Sequence, residues 1–309
     1  MLLDVKASWE RPHLQEFLGE GGFGKVARCT KLGSPEMYAI KIITNVQEGK
    51  EEYESMKLIQ VLHPDENHLM KMYECFSFQN VICLVYEILE ESLEDFLIKN
   101  ECKATPLTYV RALAQQMFQA LKALKSIGVV HCDIKLDNIM FADKKSLKFK
   151  LIDFGLAVES KELPIGTEIQ VTRFRAPEVI LGLPLDESVD MWALGMVLAC
   201  NKDTFFTRDN GDWRLCTPEE YTKSTGKELR KKNHVIDFDA MTDKHRNMYE
   251  MHDDDDHKAF IDLLKCILEV NPQRRITPTH KLQSSLPPPS PPPTPSSALP
   301  FYTPEIRSV

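Results

Sequence analysis

Residues Gly19-Glu20-Gly21-Gly22-Phe23-Gly24-Lys25-Val26 fit the spacing GxGxxGxV. Glycines at that spacing let backbone amides close over phosphate oxygens, because no side chain keeps the ligand at a distance. Further on, Ala39-Ile40-Lys41-Ile42-Ile43 carries one lysine inside an apolar run. The two segments together describe a place to hold a polyphosphate, with amides around its oxygens and one cation against them. For the glycines taken alone, a plain turn is the commoner reading, and for Lys41 a solvated strand lysine is; the apolar flanks weaken the second. Three more short strings follow in order: His131-Cys132-Asp133-Ile134-Lys135-Leu136-Asp137-Asn138, then Asp153-Phe154-Gly155, then Ala176-Pro177-Glu178. Each is short enough to arise by chance. Five strings in one order, each on the expected kind of element, are not.

The elements that must position these residues are legible in the hydropathy pattern. Up to about residue 85 the chain reads mainly as strands. Phe17–Leu18 and Lys25–Cys29 flank the glycines, Met37–Ile43 is β-rich, and Val81–Tyr86 is a short apolar run. One helix interrupts them, expected over Glu51 to Leu62 with Met56, Ile59 and Leu62 at helical spacing; His63-Pro64 closes it. From Ser92 onward the pattern is helical. Val110, Leu113, Ala114, Met117, Leu121, Leu124 and Ile127 form one stripe ended by Gly128. Further helices are expected over Glu187 to Cys200 and Lys258 to Val270. The fold class is therefore α+β: a small β-rich lobe followed by a larger helical one. Leu286-Pro-Pro-Pro-Ser-Pro-Pro-Pro-Thr-Pro295 cannot supply helix donors, so residues 283–309 read as a Pro-rich, disordered or polyproline-II tail.

Over about residues 14–282 the chain resembles a eukaryotic protein kinase. More narrowly, it resembles the homeodomain-interacting branch near the dual-specificity tyrosine-regulated kinases, within the CMGC group. Beyond the catalytic strings, the resemblance rests on Met72-Tyr-Glu-Cys-Phe76, Glu178-Val-Ile-Leu-Gly-Leu-Pro184, Asp190-Met-Trp-Ala-Leu-Gly195, Trp213 to Gly226 and Phe260-Ile-Asp-Leu-Leu264. It implies a two-lobed kinase domain, with an N-lobe to about residue 86 and a C-lobe from 87 to 282. It implies ATP and Mg²⁺ as cofactors and serine or threonine hydroxyls of protein substrates as acceptors, with autophosphorylation on tyrosine left open. By the same resemblance, Lys41 would pair with Glu54, four residues before Leu58; Glu51 and Glu52 are the alternatives, on other faces in the expected register. Asp133 would orient the acceptor hydroxyl and take its proton, and Lys135 would neutralise the transferring group. Asn138 and Asp153 would hold Mg²⁺. Gly19 to Gly24, Val26, Ala39 and Met140 would line the nucleotide, Tyr86 would stand at the back of the adenine pocket, and the backbone of Glu87 and Leu89 would bind adenine. Glu178 would pair with Arg275, and Asp190 would tie the catalytic loop to the helix beneath it.

The chain also departs from the family. Cys132 stands where an arginine is common, and the segment from Asp153 to Glu178 holds no tyrosine. Aligned without gaps, the activating tyrosine of this branch falls on Glu168, which could face Arg173 or Arg175 or be a solvated loop residue. A one-residue shift makes Thr172 the hydroxyl that contacts the catalytic aspartate and lysine. After Cys200 the chain moves almost at once to Thr204, so the C-lobe is expected to be shortened. A catalytically weak or inert nucleotide-binding scaffold is the alternative this raises. A small-molecule kinase would lack the branch-specific C-lobe strings. The net charge of −8 argues against a nucleic-acid surface, and no apolar run is long enough to span a bilayer. With no leader pattern and eight scattered cysteines, the expected location is cytoplasm or nucleus, with the thiols free and mostly buried. The run Asp253 to Asp256 is read as a solvated loop rather than a metal site. The tail would suit domains of the SH3 or WW type.

Overall fold

The computed structural model describes residues 13–21, 24–31, 33, 35–100, 107–163, 165–199, 206–209, 212–215 and 254–281. The expectations for Gly22, Phe23, the segment directly after Cys200 and the Pro-rich tail lie outside them.

The alternating N-terminal segments form five antiparallel strands: β1 (His13–Gly21), β2 (Gly24–Thr30), β3 (Met37–Ile43), β4 (Met72–Phe78) and β5 (Val81–Tyr86), in the order β1-β2-β3-β5-β4. The register sets Val26 opposite Lys41, Lys41 opposite Leu84 and Ala39 opposite Tyr86. Gly24 has φ +140°, and a Cβ there would lie 2.2 Å from the Ile42 carbonyl oxygen, so only glycine fits this return. One sheet face holds a small core of Ala27, Cys29, Ile40, Phe76, Cys83 and Val85. The other belongs to the main core, through Ala39, Ile43, Ile82 and Leu84.

Helix α1 (Val46–Gln60) begins five residues before the expected start at Glu51. The reason is Asn45, whose side chain accepts hydrogen bonds from the amides of Gln47 and Glu48 and so caps the helix. Its buried stripe is Gly49, Glu52, Met56 and Ile59. At Gly49 a Cβ would meet Ile82 Cβ at 2.6 Å; the missing side chain lets α1 lie close on the sheet.

The helical part follows with α2 (Leu93–Lys99) and α3 (Leu107–Ser126), which ends at Gly128 in the left-handed region, φ +68°. Short strands β6 (Val129–Val130), β7 (Ile139–Asp143), β8 (Lys148–Leu151) and β9 (Val158–Glu159) frame the next segments, with β6 paired to β9 and β7 to β8. Then come α4 (Pro177–Ile180), α5 (Ser188–Ala199), the hairpin strands β10 (Phe206–Asp209) and β11 (Asp212–Leu215), α6 (Asp254–Ile267) and α7 (Pro278–Lys281). Helix α5 buries residues all round, and Gly195 brings it against α6: a Cβ there would lie 2.6 Å from Ile267 Cγ2. Helix α6 takes in Asp254 to Asp256, which were expected to be loop; acidic residues in a first helical turn face the positive end of the peptide dipoles. Among the described cysteines, Cys29, Cys83 and Cys132 are buried, Cys75 is half-buried and Cys266 exposed, all as free thiols. No helix among the described residues is long and apolar enough to cross a membrane.

Candidate active site

Lys41 projects from β3, and its Nζ donates to Glu52 Oε1 at 2.9 Å, Glu52 Oε2 at 2.7 Å and Asp153 Oδ1 at 2.8 Å. The partner on α1 is thus Glu52, which corrects the expectation of Glu54. Glu54 lies on the outer side of the helix, 64% exposed, bonded to Lys57. The expected stripe holds, since Met56 and Ile59 are buried and Glu52 lies four residues before Met56; the error was to place the pairing carboxylate by Leu58, which is 46% exposed. Two residues along a helix turn the side chain through roughly 200°, so 52 and 54 cannot share a face. Glu52 Oε1 accepts a further bond from the Tyr86 hydroxyl, at 2.9 Å.

Burial works against the charge on each of these groups. For Lys41, Asp153 and Glu52 outweigh desolvation and hold the ammonium above its ordinary value. Burial pushes Asp153 up, but Lys41 more than offsets it and keeps the carboxyl below its usual range. Desolvation dominates at Glu52 and pushes it up against the pull of Lys41.

The segment that follows Tyr86 is tied down on its far side. The Glu87 carboxylate accepts from the Lys71 amide at 2.7 Å and from Lys150 Nζ at 2.6 Å, and Lys150 also donates to Asp65. The Glu87 amide donates to the Lys71 carbonyl at 3.2 Å. Glu90 and Glu91 then exchange backbone hydrogen bonds with Phe141 of β7, and Ser92 bridges Met140. Leu89, Val26 and Met140 are half-buried, Ala39 is buried, and Gly19 is in β1. Glu20 and Gly21 end the same strand.

Between β6 and β7 the chain carries the acid. His131 is fully buried; its Nδ1 accepts the Asp133 amide at 3.2 Å, so Nε2 holds the proton and donates to the Ile152 carbonyl at 3.0 Å. Asp190 of α5 accepts the amides of His131 at 2.7 Å and Cys132 at 3.0 Å. Those two bonds hold Cys132 in the left-handed region, φ 65°. Cys132 sits 1% exposed, and burial pushes its thiol far up. Asp133 Oδ2 accepts Lys135 Nζ at 2.8 Å and Asn138 Nδ2 at 2.9 Å. Beside them, partial desolvation and a side-chain hydrogen bond with Glu94 push Asp137 up to about 7, although the residue keeps much of its surface in solvent. Phe154 packs its ring 4.8 Å from that of His131, which brings Asp153 toward the loop.

The donor set suits Mg²⁺. Asn138 spends its Nδ2 on Asp133, which turns its carbonyl oxygen outward, and Lys41 engages one oxygen of Asp153. Two oxygen side chains, with nucleotide phosphates completing the shell, is the usual arrangement for this ion.

Glu178 and Arg275 form the expected pair, with contacts of 2.5 and 2.9 Å. In the intervening segment, Glu168 is 85% exposed and 3.7 Å from Arg175, a surface pair of little energetic weight. Thr172 opens an exposed 3₁₀ turn (Thr172–Phe174) and makes no hydrogen bond with Asp133 or Lys135 among the described residues; those two pair with each other. Two working groups escape the sequence reading, Lys150 and Gln170, whereas Glu52 is among its alternatives to Glu54. Gln170, buried with φ 67°, donates to the Val189 carbonyl and accepts the Ala176 amide, fixing Ala176-Pro177-Glu178. For Glu52 the signal is its place four residues before Met56 and seven before Ile59, on the apolar stripe.

The protein kinase domain family matches residues 13–286. Homeodomain-interacting protein kinase 2 of Mesocricetus auratus is 35% identical over 320 residues, 86% of this chain and 27% of that protein. Homeodomain-interacting protein kinase 1 of Caenorhabditis elegans is 32% identical over 330 residues, 87% of this chain and 39% of its own length. Serine/threonine-protein kinase ppk15 of Schizosaccharomyces pombe is 36% identical over 188 residues, covering 59% of this chain and 35% of its own. The chain spans well under half the length of these curated relatives. Similarity over most of the sequence, on a fold that gathers widely separated motifs around one Lys41–Glu52–Asp153 cluster, means that the chain belongs to the protein kinase family.

Proposed function

We propose that the chain transfers the γ-phosphoryl group of ATP to serine or threonine hydroxyls of proteins. The observation that carries this reading is the assembled lysine: Lys41 bridges Glu52 and Asp153, so a cation stands ready for phosphate oxygens beside the proposed metal-binding aspartate. The backbone of Glu87 and Leu89 would hold adenine between Val26, Ala39 and Met140, with the strand pair of Gly19 to Gly24 over the phosphates. Asn138 and Asp153 would hold Mg²⁺, which when bound shields the charge on the phosphate oxygens. Asp133 Oδ would receive the proton of the acceptor hydroxyl as its oxygen bonds to the γ-phosphorus. The bond from that phosphorus to the ADP oxygen breaks, and ADP leaves with the electron pair. Lys135 neutralises charge on the phosphoryl group in transit. Such catalysis is positioning and electrostatics rather than covalent chemistry. Lys135, two residues after Asp133, supports hydroxyl acceptors of serine and threonine over tyrosine.

The domain would run over 14–282, with residues 283–309 as a tail available to SH3- or WW-type partners, and the protein would work in cytoplasm or nucleus. The test is incorporation of γ-phosphate into myelin basic protein, followed by phosphoamino-acid analysis. Lys41→Met should abolish transfer, and Asp133→Asn should lower turnover far more than ATP affinity. Nucleotide binding without transfer in the parent chain would instead favour an inert scaffold, and phosphotyrosine as the product would overturn the acceptor assignment.

A further inference from the structure

Glu52 must stay buried and charged for Lys41 to be held, and the structure supplies it with a donor that the lysine pair does not require. Tyr86 is the last residue of β5, 5% exposed, opposite Ala39 of β3 and Met72 of β4. Its hydroxyl crosses from the sheet to α1 and donates to Glu52 Oε1, the oxygen that also accepts from Lys41. Glu52 is itself 3% exposed, so no water replaces a lost donor cheaply. A phenylalanine at 86 would keep the apolar wall and lose only this bond.

The segment from Asp153 to Glu178 offers little to hold α1 in place. It holds no tyrosine, and Glu168, 85% exposed, lies 3.7 Å from a half-buried Arg175. Among the described residues one hydrogen bond links it to α1, from Ser55 Oγ to the Ala157 carbonyl at 3.4 Å. The Tyr86 bond is shorter, buried and charge-assisted, and such bonds are about twice as strong as neutral ones.

We propose that the Tyr86 hydroxyl is a positioning group that latches α1 against the sheet through Glu52, so that the Lys41–Glu52 pair stays assembled independently of activation-segment modification. The proposal rests on the phosphoryl-transfer reading for its purpose, but the latch is a property of the free chain. It acts through Glu52 and Lys41 and touches no reacting atom.

Amide hydrogen exchange on the full chain without nucleotide tests it. In Tyr86→Phe, amides of α1 should exchange on the order of ten- to a hundredfold faster, the loss expected for one charge-assisted hydrogen bond, while those of α3 and α6 stay within twofold. In a Glu52→Gln background the same substitution should change α1 exchange by less than about threefold, since the pair would already be broken. Equal acceleration in α1, α3 and α6 would mean that Tyr86 only fills the core, and would overturn the latch. So would unchanged α1 exchange, or an undiminished effect in the Glu52→Gln background. Because nothing turns over in this experiment, an inactive parent chain would refute the proposed function and leave the latch standing. Where the parent is active, Tyr86→Phe should lower kcat/KM for ATP while Tyr53→Phe, on the same helix but half-exposed, does not.

Discussion

Removing Arg275 should unfold this protein at a much lower temperature without touching any group near the phosphates. Its guanidinium is 0% exposed and its partner Glu178 1% exposed. It bonds both oxygens of Glu178, and it also donates to the carbonyls of Ser188 at 2.8 Å and Glu269 at 2.9 Å, with its plane 5.1 Å from the Trp192 ring. Arg275→Met keeps much of the volume and strips away these contacts together with the longer ones to the Ser188 hydroxyl and the Val270 carbonyl. The largest loss is the uncompensated Glu178 carboxylate; breaking a buried pair from one side costs about 3–5 kcal/mol. Its nearest remaining donor would be the Ser188 hydroxyl at 3.4 Å. The abandoned carbonyls of Ser188, Glu269 and Val270 lie where solvent can partly reach, so about 4 kcal/mol is a fair total. At roughly 2–4 °C per kcal/mol for a domain of this size, the melting midpoint should fall by about 8–16 °C. Differential scanning fluorimetry and urea titration at pH 7.5 would measure it. The double variant Glu178→Gln/Arg275→Met should recover part of the loss, because the stranded charge is then gone. A single-variant shift under about 3 °C, or a double variant worse than the sum, would refute the idea that this pair pins α4 to the segment after α6.

Three further outcomes follow from the same geometry. Glu52→Ala should lower phosphoryl transfer about a hundredfold, the loss of one preorganised electrostatic contact, whereas Glu54→Ala, on the solvent side of α1, should leave activity within twofold and stability within about 0.5 kcal/mol; parallel kinetics decide it. Lys150→Met should strand the Glu87 carboxylate and cost about 3 kcal/mol, and by loosening the start of the adenine-facing segment it should weaken Mg-ATP binding about tenfold by calorimetry. Asp137 holds its proton in the folded chain up to about 7, against 3.8 for the free side chain. The folded state therefore binds more protons between pH 4 and 7, and stability from this group is lost as pH rises through that window; urea midpoints should show Asp137→Asn gaining on the parent from pH 5 to pH 8.

Much of the architecture was legible because its cause is local. The strands around the glycines and β3 follow from alternation, the end of α3 from Gly128, and the clustering of the motifs from their order. What failed was phase. Helix α1 was started at Glu51 because apolar residues begin to recur there, yet its start is set by Asn45, a polar residue with no apolar signature, and Gly49 inside it discourages a helical reading on propensity alone. Placing the acidic partner of Lys41 by Leu58 rather than by Met56 and Ile59 moves it by two residues and to the opposite face. The acidic run reads as loop because it has no apolar stripe of its own, yet Asp254 opens a helix. Lys150 and Gln170 could not have been read at all. Their partners, Glu87 and Asp65 for one and Val189 and Ala176 for the other, are brought to them by tertiary folding, and nothing in the spacing marks them.

The contacts also bear on how chemistry and stability divide along the chain. All the groups proposed to handle phosphate precede Cys200, which suggests that the site could survive loss of structure downstream. The loop that carries Asp133 does not hold itself, however. Its strained turn at Cys132 hangs on the Asp190 carboxylate, which accepts two adjacent amides and is 2% exposed. Asp190 belongs to α5, and α5 keeps its place through Gly195 against Ile267 and Leu268 and through Ser188, whose carbonyl binds Arg275. A displacement at α6 thus reaches Asp133 through two rigid steps, a helix and a pair of hydrogen bonds to a strained backbone. Losses in the helical lobe should for that reason appear as lowered turnover before the lobe unfolds, because the position of the acceptor-orienting carboxylate depends on buried contacts made some sixty to one hundred and forty residues further along the chain.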